Sequence, residues 1–115
     1  MEIISSKITK KQLIGKHLTY FKTMTKTVVD IGKKVIAVDG ELHSDLETYL
    51  LENGSVQENL WGINLYPFKD KKNFVEYSAL INIRPHQDNC SMEIEDFTIR
   101  KKVEEIVYNL IDYES

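Results

Sequence analysis

Glu41, His43 and Asp45 stand two residues apart in the segment Glu41-Leu42-His43-Ser44-Asp45. In an extended chain alternate side chains project to one side, so an imidazole and two carboxylates would share a face. That set could hold a divalent metal, with His43 and Asp45 as ligands, or pair a histidine base with a carboxylate that orients it. The same residues also read as a helix start. Ser44 with Glu47 spells a capping box, and Asp45 would then lie near free backbone N–H groups at the positive end of the helix dipole. A helix beginning inside the trio would scatter its side chains. One histidine with two carboxylates also lacks the spacing of an established metal motif.

A second set depends on two strands. Leu60 to Tyr66 and Val75 to Arg84 read as an antiparallel pair joined by Pro67 to Asn73. Alternation places Val75, Tyr77, Ala79, Ile81 and Ile83 on the core side. Asn64, Tyr66, Ser78, Asn82 and Arg84 then share an outward polar face, with His86 just beyond. Arg84 offers a planar fork suited to carboxylate or phosphate, and asparagine is depleted in strands unless it has a hydrogen-bonding duty. The expectation is a binding face for a small anionic ligand or a partner's backbone, or a face buried in a homodimer. Cys90 could meet His86 or His43 as a nucleophile pair, but nothing in the spacing specifies it. No Gly-rich phosphate loop, nucleophile elbow or His-rich signature occurs, so no cofactor is expected.

The elements that must position these residues follow from local pattern. Glu2 to Ser5 suits a first strand. Thr9 with Gln12 makes a capping box for a helix carrying Leu13, Ile14, His17, Leu18 and Phe21. Thr27 to Ile31 and Val35 to Val38 read as a hairpin turning at Gly32-Lys33-Lys34. A short helix with Leu46, Tyr49 and Leu50 stops at Asn53-Gly54. Ile99, Val103, Ile106, Val107, Leu110 and Ile111 keep a helical period behind Asp96 as the cap. Trp61, among apolar residues at strand spacing, reads as core, and its indole N–H would need a partner if fully buried. The order β-α-ββ-α-ββ-α predicts an α+β fold: one two-layer domain over residues 1–115, a largely antiparallel sheet covered by helices.

At 115 residues, with 42% hydrophobic and 29% charged, the chain can bury a globular core. A net charge of −3 argues against nucleic acid as an obligatory partner. The segment from Lys7 to Lys34 is the exception, being lysine-rich with Asp30 as its lone acidic residue. Cys90 is the single cysteine, which suits a reducing compartment. Neither a secretory signal nor a membrane-length apolar run is present, so a cytoplasmic protein without membrane attachment is expected.

Several segments together resemble a known family. They are Val28-Val29-Asp30-Ile31, Gly40-Glu41-Leu42-His43, Glu52-Asn53-Gly54-Ser55, Leu60-Trp61-Gly62-Ile63-Asn64, Ile81-Asn82-Ile83-Arg84-Pro85 and Ser91-Met92-Glu93-Ile94. The chain is similar, over roughly Lys7 to Ile111, to small bacterial and archaeal proteins grouped as a domain of unknown function. That family often has a second glycine where this chain has Asp39, and an alanine where it has Ser44. The resemblance implies a prokaryotic, cytosolic origin and no activity. Three readings of function follow. The first is a non-catalytic binding or interaction protein using the polar face around Arg84. The alternative is a hydrolase-like, metal-dependent enzyme built on Glu41, His43 and Asp45, and the second alternative is a nucleic-acid-associated regulator using the lysines of 7–34.

Overall fold

β-Branched residues suit a pleated, half-buried surface, and the two runs richest in them pair as the centre of the fold. The computed structural model describes residues 1–114. Thr25–Asp30 (β3) and Val35–Gly40 (β4) form an antiparallel hairpin. Its turn is held by Asp30, whose Oδ1 accepts the N–H groups of Gly32 and Lys33, each at 2.9 Å. The other oxygen of this buried carboxylate accepts the Ser55 hydroxyl at 2.6 Å, tying the hairpin to the far end of the second helix.

Around the hairpin lie Glu2–Ile4 (β1), Ile8–Thr9 (β2), Lys10–Lys16 (α1), His43–Glu52 (α2), Leu60–Leu65 (β5), Val75–Glu76 (β6), Phe97–Leu110 (α3) and Ile111–Asp112 (β7). The main sheet runs β1-β4-β3-β5-β6 with every neighbouring pair antiparallel. β2 and β7 form a separate two-residue parallel pair. The fold is α+β with an antiparallel sheet, as the element order predicts.

The helices divide between the two faces, so the sheet is a middle layer where a two-layer domain was expected. Val29, Ile36, Val38, Trp61, Ile63 and Leu65 pack with Leu13 of α1 and Val103, Ile106, Val107 and Leu110 of α3. Val28, Ala37 and Leu60, on the opposite side of the same strands, pack with Leu46 and Leu50 of α2. The alternation of side chains along a strand makes two cores out of one sheet.

Local signals place most boundaries. Thr9 and Gln12 form the capping box of α1, and Asp96 caps α3 through the N–H groups of Thr98 and Ile99. Gly54 stops α2 at φ +94°. Two expectations about the helices fail. α1 ends at Lys16, with His17 as its buried C-cap and Leu18 and Phe21 outside the helix. α2 starts at His43 behind Leu42 and has no side-chain cap, so Ser44 and Glu47 form no capping box.

The long strand from Val75 to Arg84 is the largest departure. Pairing with β5 stops at Glu76, and the chain then winds through 3-10 turns at Leu80–Asn82 and Pro85–Gln87. Tyr77 and Ala79 now exchange backbone bonds with Ile94 and Met92. What continues along the edge of β5 is a side chain. Asn82 Oδ1 accepts the Gly62 N–H at 2.8 Å, and Asn82 Nδ2 donates to the Gly62 carbonyl at 2.9 Å. The amide thus takes the place of a strand peptide.

Gly62 permits that close approach. A Cβ there would lie 2.5 Å from the Ala79 Cβ and 3.0 Å from Ile81 Cγ1. Gly62→Ala should therefore lower stability by about 1–3 kcal/mol through overpacking, read as a lower urea midpoint. An unchanged midpoint would mean that the 79–81 turn moves aside freely.

Candidate functional site

Because β6 ends after two residues, the α2 side of the sheet is left open beside it. Register places Lys26 of β3 opposite Asn64 of β5, and Asn64 opposite Glu76 of β6. Neighbouring strands lie about 4.8 Å apart, so a cation, an amide and an anion form one row across the sheet. The first turn of α2 stands over this row with His43 and Ser44, and the Ala79–Ile81 turn closes the side. Together they enclose a cleft of about 460 Å³. Leu42, Leu80 and Met92 line its mouth and are 52%, 70% and 42% exposed. Three large apolar side chains left in water around one concavity mark a binding site more strongly than scattered surface leucines do.

The polar groups in the cleft are held in place. Asn64 Nδ2 donates to Glu76 Oε1 at 2.8 Å and to the Ser78 carbonyl at 3.3 Å, which fixes the amide orientation. Tyr66 donates its hydroxyl to the same Glu76 oxygen at 3.0 Å. Asn64 Oδ1 is shielded from solvent and makes no hydrogen bond of good geometry among the described residues, although the His43 ring is close enough to interact with the Asn64 side chain. His43 Nε2 lies 2.8 Å from the Ile63 carbonyl oxygen. A carbonyl only accepts, so Nε2 carries the proton of the neutral ring. Burial pushes the His43 pKa below its ordinary value. The Ile63 carbonyl opposes that shift, Lys26 adds to it, and Asn64 and Glu76 favour the charged ring. Burial also raises the Tyr66 hydroxyl, with Glu76 adding to the effect.

The candidate residues are sorted differently from the sequence expectation. Glu41 and Asp45 are exposed and His43 half-buried, and no cluster of three His, Cys, Asp or Glu residues suited to a metal exists among the described residues. The helix begins at His43, so the period-two alignment of Glu41, His43 and Asp45 is lost. Asn64 and Ser78 do meet, in the cleft, while Tyr66 reaches it only through Glu76. His86 is exposed on the second 3-10 turn, and Cys90 is exposed. Lys26, Met24, Leu42, Leu80 and Met92 were missed. Lys26 sits in a strand, but only the strand register reveals that it faces Asn64.

Asn82 and Arg84 are structural and buried, at 0% and 3% exposure. A continued strand would have turned them outward; the 3-10 turn turns them in. The Arg84 guanidinium donates to the carbonyls of Ile81 and Gln57, each at 3.0 Å, and to that of Leu60. It also pairs with Glu47 of α2 at 3.2 Å and lies 4.9 Å from the centre of the Trp61 ring. Its donors are occupied, which leaves no fork for an external anion. Trp61 is core as expected, but its indole N–H has no hydrogen-bond partner among the described residues.

The lysines of the N-terminal segment spread over several places. Lys10, Lys11 and Lys16 are on α1, Lys26 is near the start of β3, and Lys33 and Lys34 are at the turn after its far end. Among the described residues no helix is long and apolar enough to cross a membrane.

Fold and cleft define an α+β protein with a ligand-sized opening at one truncated sheet edge. The chain belongs to the family described as "Protein of unknown function (DUF5674)", whose model matches residues 2–110. No curated protein and no solved structure matches it.

Two outcomes follow from this geometry. Arg84→Ala strands Glu47 and three carbonyls, so it should cost roughly 3–5 kcal/mol in chemical denaturation; a loss under 1 kcal/mol would contradict the buried staple. For pH, the folded His43 binds its proton less readily than the unfolded chain, which titrates near 6.5. His17 shifts the same way, also led by burial, although Glu2 lies 3.7 Å away. Their contribution is complete above pH 6.5 and is lost as pH falls toward the folded values. The thermal midpoint should drop below pH 6.5, less steeply in His43→Gln. A His43 ring that titrates at or above 6.5 by NMR would refute the burial account.

Proposed function

We propose that this protein is a non-catalytic binding protein whose small-molecule ligand occupies the cleft between the first turn of α2 and the Ala79–Ile81 turn. The observation that carries this reading is the coincidence, in one concavity, of an apolar mouth and a preset polar floor. Ligand sites are commonly concave and largely apolar, with a few fixed polar groups that set orientation. Asn64, oriented by Glu76 and Ser78, has that role here.

The reading keeps the expected binding role and relocates it from Arg84 to the other end of the same polar set. The proton on His43 Nε2 is committed to a backbone carbonyl, and the exposed Glu41 and Asp45 lie to either side on a helix start. That supports a binding role for the imidazole over an acid–base one. The site of action we favour is the cytoplasm, in keeping with a lone, exposed Cys90.

The test is a fragment screen followed by amide chemical shifts. Ligands should perturb Lys26, His43, Asn64, Ser78 and Leu80 together, and Leu80→Asp should abolish binding with the fold intact, because Leu80 is solvent-facing. Perturbations that map elsewhere, or binding indifferent to Leu80→Asp, would overturn the assignment.

A further inference from the structure

The cleft contains opposite charges that the protein itself does not pair. The Lys26 ammonium has no hydrogen bond or ion pair among the described residues and lies 5.1 Å from the centre of the Phe21 ring. Glu76 accepts two hydrogen bonds at Oε1, from Asn64 and Tyr66, and among the described residues no cation lies within ion-pairing distance of its carboxylate. The two residues sit at the same register two strands apart, about 10 Å between backbones, with Asn64 between them. Their charges are not paired with each other, yet both line one cavity. Both charges also act on His43, in opposite senses.

We infer that the ligand is a zwitterion with an apolar side chain, of the class of a free hydrophobic α-amino acid. This rests on the cleft being a ligand site. The ligand's carboxylate faces Lys26 and its ammonium faces Glu76. A carboxylate has about four acceptor positions, so Glu76 can take an ammonium while keeping Asn64 and Tyr66. The apolar side chain lies against Leu80, Ile81 and Met92 at the mouth, where burial of its methyl groups covers surface now in water. A ligand with a single charge would leave one of the two protein charges newly desolvated without a partner, which disfavours it. The recognition is therefore of a charge pair and an apolar group together.

The test titrates the intact protein with L-leucine, with 4-methylpentanoate (which lacks the amine) and with 3-methylbutylamine (which lacks the carboxylate), followed by amide chemical shifts. L-leucine should perturb Lys26, Asn64, Glu76 and Leu80. Each truncated analogue should bind roughly tenfold or more weakly, the usual effect of losing one charge-assisted hydrogen bond. Lys26→Gln should erase the advantage of L-leucine over the amine, and Glu76→Gln its advantage over the carboxylate. Unchanged spectra elsewhere in each variant would establish that the fold is retained. Equal affinity for all three compounds would overturn the zwitterion and leave the cleft as a ligand site. The same holds if L-leucine fails while uncharged fragments still shift the cleft residues. Failure of every probe and fragment at these residues would remove both readings.

Discussion

The pairing of the Asn82 side-chain amide with the Gly62 peptide is the contact on which the rest of the structure turns. A buried strand edge cannot be left without hydrogen-bond partners, because each orphaned peptide group costs about as much as a lost hydrogen bond. β5 faces that problem once β6 ends, and a carboxamide, which has the donor and acceptor of a peptide, resolves it at one residue. Gly62 has no Cβ, so the 79–81 turn can come close enough for the amide to reach. Asn89 extends the same device. Its Nδ2 donates to the carbonyls of Asn82, Ser91 and Glu93, and its Oδ1 accepts the Glu95 N–H. An irregular segment is thereby made as well satisfied as a sheet.

The cleft is the other side of this arrangement. A full strand over 75–84 would have covered the β5 edge and carried its side chains alternately up and down. Substituting one amide for that strand turns the backbone out of the sheet after Glu76, so the Ala79–Ile81 turn borders the row of Lys26, Asn64 and Glu76 on the α2 side. The departing chain supplies the apolar mouth. Arg84 locks it in position by joining the carbonyls of Gln57, Leu60 and Ile81 to Glu47 of α2. A buried ion pair of this kind is weak evidence for stability in itself. Its value here is that one side chain fixes the distance between α2 and the turn, which are the two walls of the cleft.

Asp39 turns a strained backbone position into a tie between two segments. The residue adopts φ +66°, a left-handed conformation in which glycine is the easy choice. Aspartate tolerates it better than most residues. Its carboxylate is used at once, accepting the Thr19 N–H at 3.0 Å and the Thr19 hydroxyl at 2.6 Å. The segment after α1 is thus tied to the end of β4, opposite the start of β3, where Met24 and Lys26 line the cleft.

Elements with a local cause could be read from the sequence. The caps at Thr9 and Asp96, the β3–β4 turn, the stop at Gly54 and the apolar stripe of α3 all involve residues within a few positions of one another, so neighbouring letters carry their physics. The antiparallel α+β class follows from that order alone. The fate of the 77–95 segment does not, because the same alternation of apolar and polar residues serves a strand or a chain of 3-10 turns. The choice between them rests on Asn82 reaching Gly62 and Arg84 reaching Glu47, contacts made across 20 and 37 residues. The tertiary structure therefore decided that Asn82 and Arg84 are buried supports. It also decided that Lys26, Asn64 and Glu76, from three different strands, share a site: side-chain chemistry is written in the sequence, but strand register is fixed only when the sheet forms.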